Sequence, residues 1–188
     1  MSLARPNLEE KNLFNYHDYF LLPENGKRYQ ILEGELFMTP PPGYSHQNSV
    51  TQLTRILAHY LIGHPIGKVF CSPFAVVLSD INVVEPDLVY VSNANKNLIK
   101  ERGIFGSPDL VVEVLSKGNK KMDRMVKFKL YAQFKVPHCW IVDPMERTIE
   151  VYELEEKEYQ LIAKNQGSGI VSPSLFPGLE FSLKELWV

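Results

Sequence analysis

Apolar residues recur every three or four positions between Ser45 and about Ile62, which is the spacing of one face of an α-helix. The stripe consists of Val50, Leu53, Ile56, Leu57, Tyr60 and Leu61. Ser45 is placed to cap the N-terminus, and Gly63 and Pro65 follow the last apolar residue. The pattern therefore predicts a long amphipathic helix with one face on a core.

Short runs of β-branched and aromatic residues predict strands around this helix. The run at 109–115, DLVVEVL, is apolar on both faces, which indicates a central strand covered on both sides. Other strands are predicted at 67–72, 74–79, 87–91 and 138–143, with a hairpin at 148–162 and further helices at 16–22 and about 119–134. Residues 28–39 are predicted to form either a hairpin or one bent strand around Gly34. This alternation predicts one α/β (α+β) domain over residues 1–188, with a mixed sheet.

The composition excludes several classes of protein. The chain has 188 residues, with 20 Lys or Arg and 22 Asp or Glu, so its net charge of -2 excludes a protein that is basic all over. No apolar run is long enough for a membrane span, and the N-terminus lacks a signal-peptide core. Cys71 and Cys139 lie far apart in apolar surroundings, which indicates buried free thiols. We therefore expect a cytoplasmic protein.

Glu113 is a charged residue inside an apolar strand. On that strand it shares one face with Asp109, Val111 and Leu115. Burying even a neutral polar group without a partner costs roughly 2–7 kcal/mol, so this carboxylate must meet a cation, a metal ion or hydrogen-bond donors. A salt bridge to Lys or Arg and a divalent metal ion both satisfy this need, and the sequence leaves the two alternatives open.

Asp87 begins a strand after Pro86, from which it can lie beside Glu113 across the sheet. Two converging carboxylates repel each other unless a cation lies between them, and Mg²⁺ is bound in this way. The alternative is a residue that merely starts the strand. The sequence PDLV recurs at 108–111, so Asp109 has the same two interpretations.

Lys127 lies at the border of the apolar face of the helix at 119–134. Asp123, Lys127 and Tyr131 are spaced by four and share one stripe. A Lys at such a border can lay its stem on the core and direct its ammonium group at a site. The alternative is a surface ion pair between Asp123 and Lys127.

Two further candidates are Glu35, next to Gly34 in the predicted hairpin, and His46, at the start of the long helix. A neutral His46 can donate a hydrogen bond or hold a carboxylate, although a single His is more often structural. The sequence contains no GxSxG, GxGxxG, GxxxxGK[ST] or HExxH motif. These absences argue against a serine hydrolase, a Rossmann site, a P-loop and a zinc protease.

Several of these segments together resemble a large bacterial family of restriction endonucleases that is abundant in photosynthetic bacteria. They are YQILEGELFMTPPPGYSHQ, VVEPDLVYVS, TIEVYEL and the run from GSPDLVVEVLS to HCWIVDP. The resemblance extends from about Tyr29 to Ile162. It implies the restriction-endonuclease-like core of the PD-(D/E)XK nuclease superfamily, a mixed central sheet flanked by helices, here with extra N-terminal strands and a C-terminal β-hairpin.

The resemblance also assigns roles to the candidate residues. Asp87 and Glu113 match the two metal-binding acidic positions of the motif. The motif's Lys should stand at Leu115, where it is absent, and Lys127 on the following helix matches the position to which the family moves it. Glu35 and His46 match the family's GE and post-Pro His positions, so the resemblance makes them further catalytic candidates.

These observations predict an endonuclease that hydrolyses phosphodiester bonds in DNA with Mg²⁺ or Mn²⁺. Residues 117–135 carry seven basic side chains against Asp123, a net charge of +6 that suits a phosphate-binding face. A homodimer is expected, because two sites suit double-strand cleavage. The alternatives are a non-catalytic nucleic-acid-binding or regulatory domain with the same fold, and a structural protein whose buried carboxylates are neutralised by Lys and Arg.

Overall fold

The fold has fourteen strands and few helices within residues 13–23, 26–116 and 122–187, the parts of the chain that the computed structural model describes. The first half contains α1 (Tyr16–Tyr19), β1 (Arg28–Leu32), β2 (Glu35–Thr39), α2 (Tyr44–Gly63), β3 (Gly67–Cys71), β4 (Ala75–Ser79), β5 (Asn82–Val84), β6 (Leu88–Ser92) and a 3₁₀ helix (Asn93–Leu98). The second half contains β7 (Ile99–Lys100), β8 (Gly103–Phe105), β9 (Leu110–Val114), a π-helix (Met122–Lys127), α3 (Phe128–Gln133), β10 (His138–Asp143), β11 (Thr148–Glu155), β12 (Glu158–Gln166), β13 (Ile170–Val171), β14 (Phe181–Ser182) and a 3₁₀ helix (Leu183–Leu186).

The main sheet has the strand order β12-β11-β10-β9-β6-β3. Strands β9 and β10 are parallel, and the other neighbours are antiparallel, so this is a mixed sheet. All five residues of β9 are buried, in agreement with the central strand that the apolar run at 109–115 predicts. The hairpin of β11 and β12 extends the same sheet and leaves β12 at its edge.

A second sheet has the order β2-β1-β5-β4-β8-β7. The chain passes from this sheet to the main sheet between β5 and β6, through Glu85, Pro86 and Asp87. The turn between β1 and β2 has positive φ at both Glu33 (51°) and Gly34 (78°), the conformation of a tight hairpin turn. Of the two alternatives that the sequence leaves open around Gly34, the structure therefore has the hairpin.

The main sheet is covered on both faces. Helix α2 packs Val50, Leu53 and Leu57 against one face, in a cluster that also contains Leu110, Val112 and Val114. On the other face, Leu130 and Tyr131 of α3 join Val111 and side chains from the second sheet. Since residues 110–114 alternate between the two clusters, Glu113 faces the layer formed by α3 and the second sheet.

Some predictions need correction. The sequence predicts no strand between Ser92 and Pro108, whereas the structure has the short strands β7 and β8 there as well as a 3₁₀ helix. The described part of the helix at 119–134 begins as a π-helix. Cys139 is buried as predicted, but Cys71 is exposed because it ends β3, an edge strand. Within the described ranges, no helix is both long and apolar enough to cross a bilayer.

Candidate active site

Glu113 is buried on β9 and is bonded by two side chains from the helical segment that follows. Nζ of Lys127 donates to both carboxylate oxygens at 3.1 Å. The hydroxyl of Tyr131 donates to Oε1 at 2.5 Å. The salt bridge that the sequence allows is therefore present, and the metal-ligand role of Glu113 stays a prediction.

The transition from π-helix to α-helix places Lys127 and Tyr131 on the same stripe. Lys127 ends the π-helical turn, and Tyr131 follows four residues later in α3. Both side chains are directed inward, and Lys127 is only 3% exposed. Lys127 therefore does not belong to a surface ion pair, and the side chain of Asp123 lies outside the described residues.

Asp87 lies opposite Glu113 at the junction of the two sheets. The antiparallel register of β6 and β9 pairs Leu88 with Val112, and one more step places Asp87 across from Glu113. The backbone N–H of Val114 donates to Oδ2 of Asp87 at 2.8 Å. This bond fixes the Asp87 carboxylate beside the Glu113 backbone, as predicted for two residues that converge across a sheet.

His46 reaches Asp87 from the first turn of α2. Its Nε2 lies 3.1 Å from Oδ2 of Asp87, and both side chains are buried. An ionised carboxylate only accepts hydrogen bonds, so Nε2 carries the proton of this bond. Burial opposes ionisation of Asp87, but the hydrogen bond from His46 and the positive charges of Lys127 and Arg28 lower its pKa below its usual value.

Arg28 is a member of this group that the sequence analysis does not identify. Its Nη1 lies 3.4 Å from Oδ1 of Asp87, its Nε donates to Oε2 of Glu85 at 3.1 Å, and its Nη2 donates to the Glu85 carbonyl at 3.0 Å. The hydroxyl of Tyr19 donates to the other oxygen of Glu85 at 2.5 Å. Glu85 and Tyr19 thus hold the guanidinium group in place beside Asp87.

A signal for this arrangement is present in the sequence. Glu85 stands in VVEP directly after two apolar residues, so it is an anomaly of the same kind as Glu113. Burial opposes the charge of Arg28, yet the neighbouring carboxylates of Asp87 and Glu85 raise its pKa above the usual value. The buried Glu85 therefore predicts that a basic side chain lies near Asp87. The sequence does not indicate which basic residue this is.

These side chains line one narrow recess. Arg28, His46, Asp87, Glu113 and Lys127 all contribute to it, and its volume is about 20 Å³. A single water-sized group needs roughly 10–15 Å³, so the recess has room for one small ligand. Two carboxylates are the hard oxygen donors that Mg²⁺ takes from proteins, with water and phosphate completing its shell.

Two carboxylates suit a Mg²⁺ ion that keeps part of its water shell. They do not form a complete set of protein ligands around the ion. In the described part of the chain, no group of three or more His, Cys, Asp or Glu side chains is arranged to hold a metal ion.

Glu35 occupies a different place from the other predicted site residues. It is exposed at the start of β2 and lines a separate recess with Phe37, Met125 and Lys129. It is not among the residues that line the recess of Asp87 and Glu113. Its catalytic role stays a prediction that the position of the side chain does not favour.

Asp109 has a local structural role. Its carboxylate accepts hydrogen bonds from the backbone N–H of Ser92 at 2.7 Å, the Ser92 hydroxyl at 3.0 Å and the Asn95 amide at 2.9 Å. These bonds connect the start of the 3₁₀ helix to the start of β9. The two PDLV sequences therefore differ, because Asp87 faces the recess and Asp109 holds a loop.

The basic segment at 117–135 does not present all its charges to solvent. Lys127 is buried against Glu113, and Nη1 of Arg124 donates to Oε2 of Glu150 at 2.8 Å. Lys129 is exposed, whereas the predicted contributions of Lys117, Lys120 and Lys121 fall outside the described residues. Part of the +6 charge thus serves internal ion pairs.

Comparison with known proteins identifies the family. The model of the Uma2 family, described as "Putative restriction endonuclease", matches residues 16–184. A crystal structure of a "putative nuclease belonging to DUF820" from Anabaena variabilis has the same fold, with a TM-score of 0.75 and 19% sequence identity over 93% of this chain and 97% of that one. No curated protein matches the chain. The match to the family model spans most of the sequence, so the chain belongs to the Uma2 family.

Proposed function

We propose that this protein is a Mg²⁺- or Mn²⁺-dependent endonuclease that hydrolyses phosphodiester bonds in DNA. Membership of the Uma2 family supports a nuclease-like function. The observation that carries the proposal is the recess in which Asp87, Glu113 and Lys127 meet. Two carboxylates can hold a divalent cation that polarises a phosphate and activates water, and a lysine beside them adds positive charge near the phosphate.

Asp87 and Glu113 are the proposed metal ligands. A divalent cation bound there supplies polarisation of the phosphate and a more acidic water molecule. The hydrogen bond from Val114 holds Asp87 at 2.8 Å, so its carboxylate is positioned before any ligand arrives. His46 fixes the same carboxylate from the other side at 3.1 Å and is a positioning residue in this proposal.

Lys127 and Arg28 supply fixed positive charge. Negative charge develops on the phosphate oxygens during hydrolysis, and buried cations stabilise that charge more than exposed ones do. Lys127 is held by Glu113, and Arg28 is held by Glu85, so neither cation must be ordered during the reaction. In this arrangement Lys127 orients the attacking water or neutralises the phosphate.

The test compares the wild type with Glu113→Gln, which keeps the shape of the side chain and removes its charge. Plasmid, linear and single-stranded DNA are incubated with Mg²⁺, Mn²⁺ or a chelator. We expect cleavage that needs a divalent ion and falls roughly 100-fold or more in Glu113→Gln. The matched control is Glu158→Gln, an exposed glutamate at the start of β12, which should keep full activity.

The competing function is a nucleic-acid-binding or regulatory domain without catalysis. It is favoured by one observation, namely that Glu113 already has Lys127 and Tyr131 as partners. Thermal unfolding with increasing Mn²⁺ separates the two functions. A metal-dependent nuclease is stabilised by Mn²⁺ in the wild type and not in Glu113→Gln, whereas equal curves for both proteins favour the binding domain.

A homodimer is part of the same proposal. Strand β12 is an edge of the main sheet, and the exposed Leu161 and Ile162 lie on it. An unpaired edge with apolar side chains can pair with the same strand of a second copy. Light scattering of the wild type and of a Leu161→Lys variant tests this association.

A further inference from the structure

A second recess adjoins the one that contains Asp87 and Glu113. The two recesses share four lining residues, namely Pro40, Pro42, His46 and Ser116. The first has a volume of about 20 Å³ and the second about 340 Å³. Sites for small organic groups begin at roughly 300 Å³, so a group larger than water fits the second recess and not the first.

One wall of this second recess is formed where the parallel strands β9 and β10 end. Leu115 follows β9, and Pro144 and Met145 follow β10. The carboxylate of Asp143 accepts a hydrogen bond from the backbone N–H of Met145 at 3.1 Å, which fixes the turn that carries Met145. Ligands of α/β sheets commonly bind beyond the carboxyl ends of parallel strands, and this wall has that position.

The opposite wall is the loop between β2 and α2. Three consecutive prolines, 40–42, restrict its backbone, because each has a fixed φ angle. Tyr44 follows them and is 78% exposed at the rim. Tyr44 begins α2 just beyond the prolines, and an aromatic side chain left this exposed beside a restricted loop is available for stacking.

The lining of the second recess has little charge. Among the described residues that form it, none is Lys, Arg, Asp or Glu, and His46 is the titratable group that it shares with the first recess. A track for backbone phosphates requires cations, so this recess does not suit a phosphate. Its walls of proline, leucine, methionine and tyrosine suit a flat, weakly polar ring.

We propose that this recess binds an unpaired nucleobase of the DNA substrate, stacked on Tyr44, next to the phosphate that is cleaved. The inference rests on the proposed function, which supplies the phosphate beside Asp87 and Glu113. Bases in a duplex are already stacked on both sides, whereas an unpaired base has a free face for an aromatic side chain. The substrate class is therefore single-stranded DNA, or DNA with an unpaired nucleotide at the cleavage position.

Binding without divalent ions tests this proposal apart from catalysis. Fluorescence anisotropy is measured with a labelled single strand, with its duplex and with a single strand that carries abasic positions. We expect the wild type to prefer the intact single strand. Tyr44→Ala should weaken that binding roughly 5- to 150-fold, the range of one stacked base, while Tyr44→Phe should keep it. Ile62→Ala changes an equally exposed side chain at the far end of α2 and is the control.

The outcomes separate this proposal from the proposed function. Equal affinity for single strand and duplex, or no effect of Tyr44→Ala, overturns the base-binding site even if metal-dependent cleavage is found. Binding that depends on Tyr44 without cleavage by any form supports the base-binding site and contradicts the nuclease. A 2-aminopurine base in the single strand adds a direct readout, since its fluorescence should be quenched by the wild type and not by Tyr44→Ala.

Discussion

Nζ of Lys127 lies 3.1 Å from both carboxylate oxygens of Glu113, and both side chains are buried. A buried ion pair is costly to break from one side only, because the remaining charge keeps its desolvation penalty and loses its partner. The two residues come from different layers, β9 and the helical segment packed on it. Their contact therefore ties the helix to the sheet at the candidate site.

The first prediction concerns this pair. Lys127→Met should lower the free energy of unfolding by about 3–5 kcal/mol, because it leaves Glu113 charged and buried. The double variant Lys127→Met with Glu113→Gln should recover a large part of this loss. Urea unfolding of the two single variants, the double variant and the control Lys129→Met measures the coupling. If the stability loss of the double variant equals the sum of the two single losses, the pair contributes no coupling energy.

The second prediction concerns Arg28. Arg28→Lys keeps the positive charge but cannot bond the Glu85 side chain, the Glu85 carbonyl and Asp87 together. We expect a roughly 10- to 100-fold loss of cleavage with little change in fold, and a similar loss in Glu85→Gln. Cleavage rates and circular dichroism spectra of both variants check this. If both variants cleave DNA at the wild-type rate, Arg28 has no role in the candidate site.

The third prediction is a dependence of stability on acid. Burial opposes the charge of Glu150, but hydrogen bonds from Lys164, Arg124 and Tyr152 lower its pKa below the ordinary value of 4.5. Because the unfolded state binds the proton more tightly, this stabilisation is present above pH 4.5 and is lost as the pH falls below it. Glu150→Gln should therefore have a smaller decrease of Tm between pH 7 and pH 3 than the wild type. Glu158→Gln is the control and should follow the wild-type curve.

The fourth prediction compares Asp87 and Asp109, the aspartates of the two PDLV sequences. Asp109→Ala removes three hydrogen bonds and should cost about 1–3 kcal/mol of unfolding free energy, with stabilisation by Mn²⁺ unchanged. Asp87→Asn should abolish the stabilisation by Mn²⁺. Thermal unfolding with and without Mn²⁺ measures both variants. A loss of the Mn²⁺ effect in Asp109→Ala would contradict the structural role of this residue.

Local patterns in the sequence predict the long helix, the central strand and most of the strands of the main sheet. The apolar stripe from Val50 to Leu61 and the β-branched run around Glu113 are strong signals, because each repeats over many residues. The sequence predicts β1, β2 and β4, but the second sheet as a whole is missed because β5, β7 and β8 have at most three residues each and give no clear pattern. Strand β7 has two residues, and β1 meets β5 in the single pair Ile31 and Val83.

The candidate site is predictable to the extent that its residues break a local pattern. Glu113 is found because it is charged among apolar neighbours, and Asp87 because it starts a strand after Pro86. Arg28 is not found, because an Arg at the beginning of an exposed-looking hairpin has no unusual neighbours. Its role depends on packing between two sheets, which connects residues more than fifty positions apart.

Because Lys127 lies on a helical segment and not on a strand, the candidate site is complete only when that segment is docked on the sheet. A lysine at residue 115 would be present as soon as the strands had paired, whereas Lys127 arrives only when residues 122–133 dock against the sheet. Local opening of this helical segment would withdraw the ammonium group and the Tyr131 hydroxyl from Glu113, while the two sheets stay folded. In the proposed nuclease, activity would then depend on the docking of residues 122–133 against the sheet.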